Sequence, residues 1–374
     1  MAAEIKQIGI IIPSLEGDGV QRAMLNLAKS LVTRGYGVDL VLVKARGPFL
    51  NKIPKGVRLV DLGASRALFS LPKLISYLQK NTPDAIISSQ THINAAAILA
   101  VWISRVKTRL MVTEQEDLLV AVKKHQNFKE KFRPLIVRWL YPFADCVVGI
   151  SRGVANDIAI ITQGKLKHIH MINNPYDLED IQNKTETFVD HPWFSQEKIP
   201  IIVAVGRLVQ QKDYATLLKA FAILRNRMPA HLVILGEGVE RAKIENLITS
   251  LGISEDVSMP GFVENPFAFM AQANLFVLSS AWEGFANVLV EAMACGTPVV
   301  STDCPSGPAE ILDGGKYGRL VPVGDPEALA EALFQEYNDP HDSQMLKQRA
   351  TDFSIERILP QYLEVLLPDE GNPA

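Results

Sequence analysis

Two glutamates with seven residues between them, Glu283 and Glu291, bracket the segment best suited to chemistry. The residues inside are Gly284, Phe285, Ala286, Asn287, Val288, Leu289 and Val290. If a helix begins there, Glu291 lies four residues beyond Asn287, on the same face. A helix start offers unpaired backbone N–H groups, expected here from Phe285 to Leu289, and the positive end of the helix dipole. It therefore attracts anions. Two acids beside an anion site fit a nucleotide sugar: the diphosphate rests on the N–H groups, one carboxylate takes the sugar hydroxyls and the other the ribose diol. Such carboxylate–hydroxyl bonds are charge-assisted and directional. A surface helix with a capped start and a solvated glutamate has the same spacing, so the spacing alone leaves both readings open.

The elements around these residues must hold them. An apolar run, Leu275–Leu278, ends in Ser279 and Ser280; the loop through Trp282 and Gly284 is expected to expose Glu283. The helical stretch stops at Gly296 with Pro298 behind it, a proper helix end. Another apolar run, Ile201–Val205, leads into Gly206-Arg207-Leu208, with Lys212 five residues after Arg207. Fixed cations suit a dianionic leaving group, each charged hydrogen bond contributing about 1.5–3 kcal/mol; two exposed cations would also occur by chance. Gly236-Glu237-Gly238 makes a strand-end turn, and Phe262 and Val263 after Gly261 would frame a base, although Phe262 suits a core equally well.

The first half is less specific. Gly17-x-Gly19 resembles a dinucleotide fingerprint, but Arg22 stands where its third glycine belongs, so support for a dehydrogenase is weak. Gly19 would admit a phosphate or a donor sugar, or serve only a tight strand–helix turn. His92 follows the run Ala85–Ser89, at the carboxyl end where open α/β sheets bind ligands, yet a lone histidine is often structural. Glu114 and Glu116 are weaker acceptor-side candidates.

With these residues the chain resembles the retaining glycosyltransferases of family 4, which have the GT-B fold. Glu283 to Glu291 looks like their E-x7-E element. Ala204–Leu208 with Lys212, Leu235–Gly238, Pro260-Gly261-Phe262, and Glu310 with Gly318 follow in the family's order over the C-terminal half. The resemblance implies an α/β protein of two Rossmann-like parallel-sheet domains facing a cleft, with a C-terminal helix crossing back to the first domain. It implies transfer, with retention, of a sugar from a nucleotide-diphosphate sugar (UDP favoured) to a hydroxyl of a glycan or lipid-linked acceptor, in polysaccharide, lipopolysaccharide or glycolipid assembly. His92, Arg207, Lys212 and Glu283 would be catalytic. Donor binding would fall to Gly19, Gly206, Arg207, Lys212, Gly236, Phe262, Val263, Glu283 to Leu289, and Glu291. Two departures stand out: Asp18 replaces one of two adjacent glycines common in the first loop, and Glu114-Gln115 stands where Glu-His is frequent. No Asp-x-Asp pair occurs, so neither a metal nor any other cofactor is expected beyond the donor itself. A nucleotide-sugar epimerase of the same frame and a catalytically silent nucleotide-sugar-binding protein are the rival readings.

The totals agree with this outline. At 374 residues the chain suits two domains. Alternating apolar runs and helical patterns place them at 1–176 and 198–353, with a linker at 177–197, and the resemblance implies that 354–374 completes the first. Six strands are expected in each half. A net charge of −3 supplies no bulk polycation for nucleic acid. Three cysteines form neither a disulfide framework nor a metal spacing, which favours a reducing compartment. The start does not read as a signal peptide, and the longest apolar run, Ala95–Ile103, is too short to span a bilayer. Residues 123–140 alternate Lys123, Lys124, Lys129, Lys131, Arg133 and Arg138 with Phe128, Phe132, Leu135, Ile136, Trp139 and Leu140. Such a helix would rest on anionic lipid, or pack on the sheet with a solvated basic face. The expected location is cytoplasmic, peripheral on the inner face of the membrane if the lipid reading holds. The oligomeric state is left open.

Overall fold

The computed structural model describes residues 6–124, 128–166, 168–195 and 199–368. They form two compact units, 1–176 with 355–374, and 177–354. The first unit holds seven parallel strands: β1 (Gln7–Ile12), β2 (Gly37–Leu42), β3 (Val57–Asp61), β4 (Ala85–Ser89), β5 (Arg109–Glu114), β6 (Cys146–Gly149) and β7 (His170–Met171). Their order is β3-β2-β1-β4-β5-β6-β7. Strands covered on both faces read as continuous apolar runs, as Ile8–Ile12 and Ala85–Ile87 do. β3 is the strand that sequence patterning misses. It is an edge strand whose Arg58, Leu59 and Asp61 are exposed, so no buried apolar run announces it.

The second unit repeats the plan with six parallel strands: β8 (Ile201–Val205), β9 (His231–Leu235), β10 (Val257–Gly261), β11 (Leu275–Leu278), β12 (Val299–Thr302) and β13 (Arg319–Val321). Their order is β10-β9-β8-β11-β12-β13. Strand order reverses between β1 and β4 in one sheet and between β8 and β11 in the other. Loops leaving the carboxyl ends of strands at such a reversal splay apart and leave a crevice, where doubly wound sheets bind ligands. The loop carrying Arg207 and Lys212 leaves β8, and the loop carrying Glu283 leaves β11. Gly19 follows β1 and His92 follows β4. Each unit thus places its sequence-derived candidates at its own reversal.

The last helix, Ile355–Leu366, belongs to the first unit. Ile358, Leu359, Tyr362 and Leu366 join its core beside Ile8, Ile10 and Met24, and the Arg109 side chain donates to the Val365 carbonyl. The segment 177–197, expected as a linker, carries more structure than that. Helix Leu178–Thr185 is capped by Asp177 and buries Ile181, and the Gln182 amide donates to the Ala294 carbonyl. One buried apolar residue in eight gave no periodicity to read.

Candidate functional site

The crevice of the second sheet is built by backbone contacts that leave no room for side chains. The Gly206 N–H donates to Leu235 O at 3.0 Å, the Gly236 N–H to Gly261 O at 2.8 Å, and the Leu208 N–H to Glu237 O at 2.8 Å. The turns after β8, β9 and β10 are therefore joined to one another. Gly236 has φ of +142°, and a Cβ there would lie 2.0 Å from the Gly206 carbonyl oxygen, so only glycine fits. Beyond this turn the Phe262 ring is 47% exposed, which removes its reading as a core residue; Val263 beside it is half-buried.

Lys212 and Glu283 meet at the reversal. Lys212 Nζ lies 2.5 Å from Glu283 Oε1, and the Ser280 hydroxyl donates to the same oxygen at 2.6 Å. Gln211 Nε2 donates to the Trp282 carbonyl at 2.9 Å and lies 3.5 Å from Glu283 Oε2. The Ser279 hydroxyl donates to Lys212 O, and the Ala281 N–H to Gln211 O, so the two loops are stitched along their length. Glu283 is only 6% exposed, which corrects the expectation of an exposed carboxylate. A buried carboxylate persists when a cation and hydrogen bonds replace its water, and Lys212 and Ser280 supply them. Its negative charge, after burial, helps push the phenol of Tyr214 and the thiol of Cys304 above their ordinary values. Both therefore stay neutral. Arg207, by contrast, is exposed, and among the described residues no acid pairs with it.

The helix after the Glu283 loop runs Asn287–Cys295 and stops at Gly296 in the left-handed region, φ +80°. Its start is tighter than the sequence implies. The Asn287 N–H turns back onto Phe285 O at 2.8 Å and the Leu289 N–H onto Ala286 O at 2.9 Å, so two of the expected free donors are already used. Helix starts often tighten in this way to satisfy orphan donors. Gly284, Phe285, Ala286 and Val288 lie in the same turn, with Phe285 and Ala286 buried; Phe285 meets Phe353 edge-on at 5.6 Å. Glu291 is 4% exposed within the helix. Gly307 backs the turn, because a Cβ there would lie 2.9 Å from the Ala286 nitrogen.

In the first unit Gly19 opens helix Gly19–Thr33. Asp18 caps that helix by accepting from Gln21 N, while Gln21 returns a bond to the cap backbone. The departure from paired glycines is thus a capping box, and the positive φ of the loop belongs to Gly17 at 100°. His92 is exposed in the first turn of helix Thr91–Ser104, directly after Gln90 at φ 80°. Glu114 is fully buried: the Thr91 and Tyr141 hydroxyls donate to its Oε2 at 2.8 and 2.6 Å, and Arg133 approaches at 3.5 Å. Burial raises its pKa against the pull of Arg133. Arg133 also binds Glu116 at 2.5 Å. It therefore turns inward rather than joining a solvated basic face. The side chains of Lys123, Lys124, Phe128, Lys129 and Lys131 lie outside the described residues.

Sequence reasoning assigns no role to Ser280 or Gln211. Their signal is position: Ser280 stands three residues before Glu283, and Gln211 directly precedes Lys212.

Residues 17–180 match the family described as Glycosyltransferase Family 4, and residues 186–353 match Glycosyl transferases group 1. A relative from Campylobacter jejuni is 30% identical over 345 residues, covering 88% of this chain and 89% of its own. It is named N-acetylgalactosamine-N,N'-diacetylbacillosaminyl-diphospho-undecaprenol 4-alpha-N-acetylgalactosaminyltransferase. The chain belongs to the family 4 glycosyltransferases. A second C. jejuni relative of this glycosyltransferase, 27% identical over 378 residues (96% of this chain, 98% of its own), is also named as an undecaprenol-linked N-acetylgalactosaminyltransferase. Among solved structures, Anabaena Alr3699/HepE in complex with UDP-glucose superposes with a TM-score of 0.77 at 20% identity, covering 96% of the glycosyltransferase and 98% of HepE. That likeness establishes the GT-B fold. Among the described residues no helix is long and apolar enough to cross a membrane.

Proposed function

We propose that this glycosyltransferase moves a sugar from a nucleoside-diphosphate sugar, UDP favoured, to a hydroxyl of a lipid-linked or glycan acceptor, with retention at the anomeric carbon. The observation that carries the reading is the Lys212–Glu283 pair at the β8/β11 reversal, beside an exposed Arg207. A neutral pair beside a free cation is a resting state that a dianionic diphosphate can enter. The diphosphate takes Arg207 and the remaining donors of Lys212, while sugar hydroxyls donate to the lone pairs left on Glu283. Glu291 would accept from the ribose diol. The base would lie near Phe262, and His92 is the first unit's proposed catalytic residue.

Glu283 already holds an ammonium and a hydroxyl on Oε1, which makes it a poor nucleophile for double displacement. The reading is therefore front-face attack, with the departing phosphate taking the acceptor proton and Arg207, Lys212 and the helix start stabilising the negative charge that develops. The acceptor class follows the C. jejuni relatives, named for undecaprenol-linked substrates, and UDP follows the nucleotide bound by HepE. Polysaccharide, lipopolysaccharide or glycolipid assembly is the matching setting, at the cytoplasmic face of a membrane.

The test incubates the purified chain with labelled nucleotide sugars, with and without polyprenyl-diphosphate-linked acceptor. Acceptor-dependent label in the lipid fraction, with the axial or equatorial configuration of the donor kept, is the expected result. Conversion of the donor in the absence of acceptor would indicate an epimerase and refute the proposal. Activity is expected to survive EDTA, since Arg207 and Lys212 would supply the positive charge; loss with EDTA and recovery with manganese would overturn that part.

A further inference from the structure

The first unit carries an apolar surface that its own core does not use. On helix Phe128–Leu140 and the turn after it, Phe132, Leu135, Trp139 and Phe143 recur at helical spacing, and all are exposed, Trp139 by 58% and Phe143 by 68%. Helix Thr91–Ser104 packs against this helix and the turn after it, and ends in Trp102, 72% exposed, and Ile103. The two helices link successive parallel strands (β4 to β5, β5 to β6), so they run the same way. The Asn94 amide donates to the Tyr141 hydroxyl, so the end of the second helix lies against the first helix, whose last turn carries Trp102. Clustered exposed aromatics of this size are uncommon on a free surface and mark an interaction face.

Charge identifies the partner. The stretches 99–109 and 132–144 carry Arg105, Lys107, Arg109, Arg133 and Arg138 and no Asp or Glu, with one exposed acid, Asp145, directly after them. Arg133 is committed inward, yet Arg105 and Lys107 are exposed, and Lys165 Nζ lies 3.7 Å from the Trp139 ring centroid. Two tryptophans accompanied by a clear excess of cations over acids match the interface of an anionic bilayer, where indole rings seat at headgroup depth and cations meet lipid phosphates. A second copy docking through the same face would set like charges against each other.

We propose that the face formed by Trp102, Ile103, Leu135, Trp139 and Phe143 docks on an anionic lipid surface, with Arg105, Lys107 and Lys165 as its electrostatic contacts. It differs from the basic-helix reading of the sequence: the apolar stripe faces out, and the cations of the proposed contact come from two segments outside that helix. The proposal gives the lipid-linked acceptor reading a physical setting, but vesicle binding is measured without sugar transfer, so either can fail alone.

The full chain is tested by flotation with vesicles of mixed phosphatidylglycerol and phosphatidylcholine, and with phosphatidylcholine alone. Binding is expected to the mixed vesicles, reversed by salt, and weakened roughly fivefold for each of Arg105, Lys107 and Lys165 changed to Gln. Trp102→Ser with Trp139→Ser should abolish flotation while leaving the thermal melt unchanged. Brominated lipid should quench the emission of the parent chain but not of W102F/W139F, whose remaining indoles are Trp193 and Trp282. Failure to float with anionic vesicles, quenching that persists in W102F/W139F, or a lipid-free dimer that Trp139→Ser dissociates would each overturn the proposal.

Discussion

Lys212→Met is the most informative single change. The lysine side chain is 14% exposed and the Glu283 side chain 7%, so the mutation strands a carboxylate whose only described cation was Lys212. Breaking a buried pair from one side costs about 3–5 kcal/mol, whereas replacing both partners with neutral groups is close to neutral. Ser280 and Gln211 remain to soften the loss, which places the expectation near the lower end, about 3 kcal/mol. Glu283→Gln should also destabilise, through an unpaired ammonium, but less, because Lys212 reaches water more easily. The double variant should recover most of the loss, giving a coupling energy of about 2 kcal/mol or more. Urea unfolding of the four proteins without donor measures that energy, and turnover on the same samples separates stability from chemistry. Lys212→Met/Glu283→Gln is expected to fold like the parent and to transfer no sugar. Additive losses, with a coupling below about 0.5 kcal/mol, would refute the coupled resting pair.

Other consequences are separable. Gly236→Ala should destabilise the second unit and abolish donor binding, because the new Cβ would lie 2.0 Å from a carbonyl oxygen at a positive φ; calorimetry with and without UDP reads both. Tyr362→Phe should raise the melting temperature, since the buried hydroxyl has no hydrogen-bond partner among the described residues and removing it relieves a penalty of about 1–3 kcal/mol. Asp157 is pushed up to about 7 by burial and then by its hydrogen bond with Asp117. Its folded pKa exceeds the unfolded one, so the folded chain holds the extra proton; this stability is full below about pH 4 and is lost as pH rises through about 7. Asp157→Asn should remove that part of the pH dependence while keeping an acceptor for the Leu119 N–H, as melts across the same range would report.

Much of the fold could be read in advance because strands buried on both faces spell unbroken apolar runs, as Ile8–Ile12 and Leu232–Leu235 do. β3 escaped because an edge strand has little buried surface to declare it. Helix Leu178–Thr185 escaped because Ile181 alone is buried. At the site, residue types and spacing together with the family resemblance nominated Lys212, Glu283 and the glycines. They could not foretell that Glu283 would be withdrawn from water, since its partner is 71 residues away in sequence. Nor could the helix start at Asn287 be recognised as partly self-satisfied, because that depends on the φ and ψ of Ala286. Arg133 was misplaced for the same reason: its acids, Glu114 and Glu116, come from a different strand end.

The central claim is that a diphosphate binds where the second sheet reverses order, and a structure of the chain with a nucleoside-diphosphate sugar tests it most directly. The account predicts diphosphate oxygens within hydrogen-bond reach of Arg207 and Lys212 at the start of helix Asn287–Cys295, with sugar hydroxyls on Glu283. A diphosphate bound away from the β8 and β11 loops, with the Lys212–Glu283 pair untouched, would contradict it.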